Sequence, residues 1–142
     1  MSDAPNQDDA VKTPPADEGN VTLEVRGHVG LSTLNRPHAR NAMTLEMYGQ
    51  LKDIAAAIKP ESDLKAVVIT GAGEKAFAAG TDISKFRDFT TPQHALDYEA
   101  SMDEVLNTLE AIPLPTIAAI SGACTRGRAA IATCCDLRIG PR

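Results

Sequence analysis

The sequence predicts an α/β layered fold in which helices cross between parallel strands, and three observations carry that expectation. LKAVVITG (64–71) and TIAAIS (116–121) are short continuous apolar runs, the pattern of strands buried in a parallel sheet. Two amphipathic helical stripes alternate with them. Glycine and proline punctuate the junctions, so the elements run β-β-α-β-α-β-α-β, with right-handed crossovers between the parallel strands.

Each element follows in turn from its residues. Residues 1–19 hold Asp3, Asp8, Asp9, Asp17 and Glu18 against Lys12 alone and are rich in proline and alanine. Such a tail buries too little apolar surface to offset its ordering entropy, so it is expected to be disordered, with one domain over 20–142. VTLEVR (21–26) and VGLSTL (29–34) alternate crudely around Gly27-His28, which reads as a β-hairpin. NRPHARNAM (35–43) is a polar loop. Leu45, Tyr48, Leu51, Ile54 and Ile58 then recur at three- and four-residue steps, and Pro60 ends that helix. After the 64–71 strand comes a loop of small residues, GAGEKAFAAGTDISKF (71–86). Thr91-Pro92 is a cap and first-turn pair opening a helix over about 92–110, striped by Ala95, Tyr98, Met102, Leu106 and Leu109. Pro113 and Pro115 break it. TIAAIS, a short helix after Gly127 and the strand DLRIG (136–140) complete the chain.

Composition narrows the function. The 142 residues are 43% hydrophobic and carry a net charge of −5, of which −4 belongs to the tail, leaving a nearly neutral body. With no Trp and 4% aromatic residues there is neither a basic face nor a stacking platform for nucleic acid. No apolar run approaches the roughly 20 residues of a membrane span, and the N-terminus has neither a secretory nor a transit pattern, so a cytoplasmic location is expected. Cys124, Cys134 and Cys135 form no CxxC pair and read as small buried side chains, not as a disulfide or metal site.

Two small-residue loops, AFAAGTD (76–82) and GACTRGR (122–128), follow predicted strands and should share the crevice at their carboxyl ends. The second imitates a phosphate loop as G-x-x-x-x-G-R-A, but Arg128 and Ala129 stand where lysine and a hydroxyl are required. A backbone N–H from each loop, converging on one point, would instead make an oxyanion hole.

With these loops the chain resembles the enoyl-CoA hydratase/isomerase (crotonase) family. AFAAGTDISKF is similar to its AFxAGxD signature, IPLPTIAAISGACTRGRAAIATCCDLRI to its glycine-triplet segment, and LNRPHARNAM to its entry loop. The resemblance implies a crotonase-like ββα spiral (the ClpP/crotonase superfold) and an acyl-CoA thioester as substrate, with coenzyme A carried by the substrate and no separate cofactor or metal. It implies lyase or isomerase chemistry and a homo-oligomer, a trimer or dimer of trimers. It also implies that the N–H groups of Thr81 and Gly127 grip the thioester carbonyl. Arg36, Arg40 and Ala42 in the entry loop would line the site with Ala78, Ala79, Gly80, Asp82 and Ile83, joined by Arg126, Arg128 and Ala130.

Departures from the family pattern bear on activity. Ala130 stands where hydratases of the family carry an acid/base glutamate, and alanine moves no proton. The second family glutamate and the covering helices would fall beyond Arg142, so the resemblance spans roughly the first half of a member and implies weak or absent hydratase activity. A non-catalytic remnant that binds CoA or associates with full-length relatives is the alternative. Arg126 and Arg128 replace the outer glycines of the triplet. They either disrupt the loop, which is favoured because both flanks changed together, or pair with a carboxylate or CoA phosphate. Arg36 and Arg40 either meet CoA phosphates or form a solvated loop face. Asp82 reads as a cap for the following helix, and Asp136 and Arg138 as fixing a strand edge.

Overall fold

The computed structural model describes residues 18–73, 76–78, 80–82, 88–120 and 130–140. Strands β1 (Asn20–Arg26) and β2 (Val29–Asn35) form the expected hairpin, with Val21 opposite Leu34 and Arg26 opposite Val29. Strands β3 (Ala66–Gly71), β4 (Thr116–Ala119) and β5 (Leu137–Ile139) add in parallel, so the five-stranded sheet runs in sequence order. The crossovers carry α1 (Leu45–Ala57), α2 (Pro92–Glu110) and α3 (Ala130–Thr133).

The helices supply one core. Val21, Leu34, Val67, Ile69 and Ala118 of the sheet cluster with Met47 and Leu51 of α1, Val105 and Leu109 of α2, and Ile131 of α3. Register explains why these strand residues share a face: Ile69 sits opposite both Ser32 and Ala118, and side chains alternate along every strand. The other face is different. Leu31, Val68, Ile117 and Leu137 form a row across four strands; the first three are only half-buried and Leu137 is exposed. The apolar runs suggested burial on both faces of the strands. The structure fully buries one, because all three helices join the core on that side.

Both long helices begin at threonine caps, of which the sequence anticipates Thr91. Thr44 and Thr91 have extended backbones, and their hydroxyls accept from the N–H groups of Met47 (3.1 Å) and His94 (3.3 Å). Pro92 occupies the first turn of α2, where no N–H is needed. The buried stripes shift from expectation: Met47 and Ala55 join Tyr48 and Leu51 in α1, while Leu45 is exposed. In α2 only Val105 and Leu109 are fully buried, and residues 92–101 are exposed apart from half-buried Tyr98. The helix therefore meets the core mainly through its second half. On β2 the buried Ser32 hydroxyl has no hydrogen-bond partner among the described residues.

Candidate functional site

The entry loop is a closed polar knot centred on Asn41. Pro37–Ala39 form a single 3-10 turn, after which Arg40 (φ 53°) and Asn41 (φ 59°) both enter the left-handed region. Asparagine tolerates that conformation better than most residues. Its side chain is completely buried and saturated: Oδ1 accepts from the Arg36 N–H at 2.8 Å, while Nδ2 donates to the carbonyls of Ala72 (2.9 Å) and Ala76 (2.8 Å). One side chain thus joins the loop after β2 to the loop after β3. Gly71 makes this approach possible, since a Cβ there would lie 2.6 Å from the Ala76 carbonyl oxygen and closer still to that of Phe77.

A second tie runs through Arg36. Its guanidinium bonds the Asp82 carboxylate at 2.8 Å and the Ala42 carbonyl at 3.2 Å, with both charged side chains largely shielded. Arg36 is therefore no solvated loop face; it braces the loop, whereas Arg40 is exposed. Asp82 is the carboxylate that holds it. The helix Asp82 is expected to cap falls outside the described residues.

These ties set the backbone at Thr81. Met43 and Thr81 form a parallel bridge in which the Met43 N–H donates to the Gly80 carbonyl (2.7 Å) and the Asp82 N–H donates to the Met43 carbonyl (2.8 Å). Because a trans peptide points its C=O and N–H in opposite directions, fixing the Gly80 carbonyl on Met43 turns the Thr81 N–H away from it. No acceptor among the described residues pairs with that N–H. Gly80, at φ 118°, has the backbone freedom this turn requires. Ala78 is buried beneath the loop, and Ala42, Gly80, Thr81 and Asp82 are half-buried around it.

On its side-chain face Thr81 meets helix α1. The Tyr48 hydroxyl lies 2.8 Å from Thr81 Oγ1, and burial raises the Tyr48 pKa, so the phenol stays protonated at neutral pH. Tyr48 also lines a cleft of about 280 Å³ between α1 and α2, walled by Leu45, Met102 and Val105 and flanked by the Lys52–Glu104 ion pair. Neither Asn41 nor Tyr48 stands out in the sequence as a site residue. Asn41 lies inside the entry-loop motif, which was the available signal; Tyr48 reads only as one position of a core stripe.

The second predicted loop lies outside the described residues, including Gly127, Arg126 and Arg128, as do Ala79 and Ile83 of the first. Ala130, the first residue of α3, is exposed. Beyond it the Asp136 carboxylate accepts from the Thr116 N–H at 2.9 Å while the Asp136 N–H donates to Thr116 Oγ1 at 2.9 Å, tying the starts of β4 and β5 together. Arg138 is exposed. Cys135 is buried and Cys134 half-buried; burial, aided by Glu110, pushes the Cys134 thiol up to about 11, which leaves almost no thiolate at neutral pH. Among the described residues no cluster of His, Cys, Asp and Glu could hold a metal ion, and no helix is long and apolar enough to cross a membrane.

A family model for enoyl-CoA hydratase/isomerase matches residues 24–141. The chain is 38% identical over 120 residues to a short-chain-enoyl-CoA hydratase of Clostridium acetobutylicum, covering 84% of this chain and 46% of that protein. It is 41% identical over 119 residues to an (E)-benzylidenesuccinyl-CoA hydratase of Thauera aromatica, again covering 84% and 46%. The crystal structure of an enoyl-CoA hydratase/carnithine racemase from Magnetospirillum magneticum superposes with a TM-score of 0.78 at 37% identity, covering 84% of this chain and 45% of that one. The chain belongs to the enoyl-CoA hydratase/isomerase family and has its crotonase fold. It spans about half the length of the relatives it matches.

Proposed function

We propose that this chain binds an acyl-CoA thioester and polarises its carbonyl, with the Thr81 N–H as one donor of an oxyanion hole and the Gly127 N–H as the other. One observation carries the reading: two bonds to Met43 hold the 80–82 backbone so that the Thr81 N–H turns away from Met43, with no acceptor among the described residues. A donor oriented before the substrate arrives stabilises the charge that develops on a thioester oxygen without reorganising. The relatives named as hydratases of CoA thioesters support the substrate class.

Residues around the donors take parts consistent with this. By the family resemblance Ala42, Ala78, Ala79, Gly80, Asp82 and Ile83 would line the acyl-CoA site beside Thr81, and Arg40 offers an exposed cation to a CoA phosphate. Arg36 acts through the loop it braces. By the same resemblance Arg126, Arg128 and Ala130 would line the site near the Gly127 donor. Ala130 supplies no general acid or base, so the chain polarises the thioester with weak or no hydration turnover. Trimeric self-association, implied by the family resemblance, and a cytoplasmic location belong to the same proposal.

The test is a calorimetric comparison of butyryl-CoA with S-butyl-CoA, a thioether that lacks only the carbonyl oxygen. Two backbone donors should favour the thioester by about ten-fold. Equal affinities would refute carbonyl recognition. Crotonyl-CoA hydration at rates typical of enzymes would refute the assignment of weak turnover.

A further inference from the structure

We propose that Tyr48 is a positioning residue for the thioester site: its hydroxyl, bonded at 2.8 Å to Thr81 Oγ1, holds residue 81 so that its N–H stays aimed at the substrate oxygen. The inference rests on the oxyanion reading above. Four anchors converge on this short segment, Arg36 on the Asp82 carboxylate among them, and of these only the Tyr48 bond grips residue 81 itself. The Met43 N–H fixes the Gly80 carbonyl, and the Met43 carbonyl fixes the Asp82 N–H. Between those bonds the backbone can still rock, because Gly80 at φ 118° offers no steric resistance to rotation.

Threonine is stiff about its first side-chain bond, so a hydrogen bond on Oγ1 restrains the Cα and the adjoining peptide as well. Tyr48 is suited to provide it. It is 8% exposed and belongs to the core cluster that includes Met47 and Leu51. The phenol reaches Thr81 from a rigid helix, 33 residues away in sequence. The link therefore couples the oxyanion donor to α1 and to the cleft between α1 and α2 that Tyr48 also lines.

The experiment follows the enolisation of acetoacetyl-CoA bound to the full chain, read from the ultraviolet band of the enolate as pH is raised. On ionisation the proton on C2 leaves to water and the negative charge spreads onto the carbonyl oxygens, one of them the thioester oxygen. Wild-type protein at saturation should lower the midpoint relative to free ligand. Tyr48→Phe keeps the ring and should raise the bound midpoint by about 0.5–1 pH unit, a three- to ten-fold loss of enolate stabilisation, with affinity for CoA itself unchanged. Thr81→Val should match it, Thr81→Ser, which keeps the hydroxyl on a less restrained side chain, should fall between wild type and Thr81→Val, and the double variant Tyr48→Phe/Thr81→Val should lose no more than either single one.

Equal midpoints in wild type and Tyr48→Phe would overturn the positioning role while leaving the oxyanion reading intact. A wild-type midpoint equal to that of free ligand would overturn the oxyanion reading and this inference with it. A Tyr48→Phe chain that loses CoA affinity in parallel, or unfolds by circular dichroism, would show a purely structural tyrosine and also overturn the inference.

Discussion

The segments that meet around Asn41 and the segment from α3 through β5 are both short, yet they are held in opposite ways. Around Asn41 the backbone follows paths that regular structure does not supply, including two successive left-handed residues, and side chains of particular identity close the gaps. From residue 137 to 139 the backbone ladder with β4 does the holding, and all three side chains are exposed. The difference teaches where sequence identity matters. An irregular segment leaves some buried polar groups that only side chains satisfy, whereas a strand pairs its own along the ladder.

Substitutions can break or sharpen this contrast. The largest effect should come from Asn41→Ala, which strips partners from the Arg36 N–H and the carbonyls of Ala72 and Ala76. Urea unfolding should show a loss of about 3 kcal/mol or more; a loss below about 1 kcal/mol would mean that the loop is held otherwise.

Arg36→Met should come next. It keeps the aliphatic reach but leaves the Asp82 carboxylate, 22% exposed, without its guanidinium. A cost of about 1–2 kcal/mol is expected, discounted from the fully buried case because water reaches part of the pair.

A smaller effect, confined to alkali, should distinguish the second region. The Cys134 thiol is raised from 9.0 to about 11, so the fold favours its protonated form. That contribution is fully present below pH 9 and is lost as pH rises through about 11, because the unfolded thiol ionises first. Melting temperatures of wild type should therefore fall more steeply across this window than those of Cys134→Ala. Parallel profiles would remove Cys134 as the cause.

The smallest effects belong to β5. Leu137 and Ile139 are 58% and 61% exposed, so Leu137→Ser and Ile139→Ser should each change stability by less than about 0.5 kcal/mol. Losses approaching that of Asn41→Ala would erase the contrast.

Regular elements were legible in the sequence because their signals are local. The hairpin around Gly27-His28, the cap at Thr91, and the apolar runs of β3 and β4 lie within a few residues of what they specify. The exposure of the first half of α2 was not, since a helical stripe records which side is apolar and not how far the neighbouring core extends. The entry loop was recognisable as a motif, but its mechanics were hidden: Asn41 bonds carbonyls 31 and 35 residues away, and Arg36 pairs with Asp82 at a separation of 46. Tyr48 was legible as a core residue and illegible as a partner of Thr81, because its ring obeys the helical period while its hydroxyl answers to another loop.

The most direct measurement is the amide resonance of Thr81 in ¹⁵N-labelled protein during titration with butyryl-CoA and, separately, S-butyl-CoA. The account predicts a large downfield proton shift with the thioester and little with the thioether, as one N–H gains a carbonyl acceptor. Identical shifts from both ligands, or a Thr81 resonance unmoved at saturation, would contradict it.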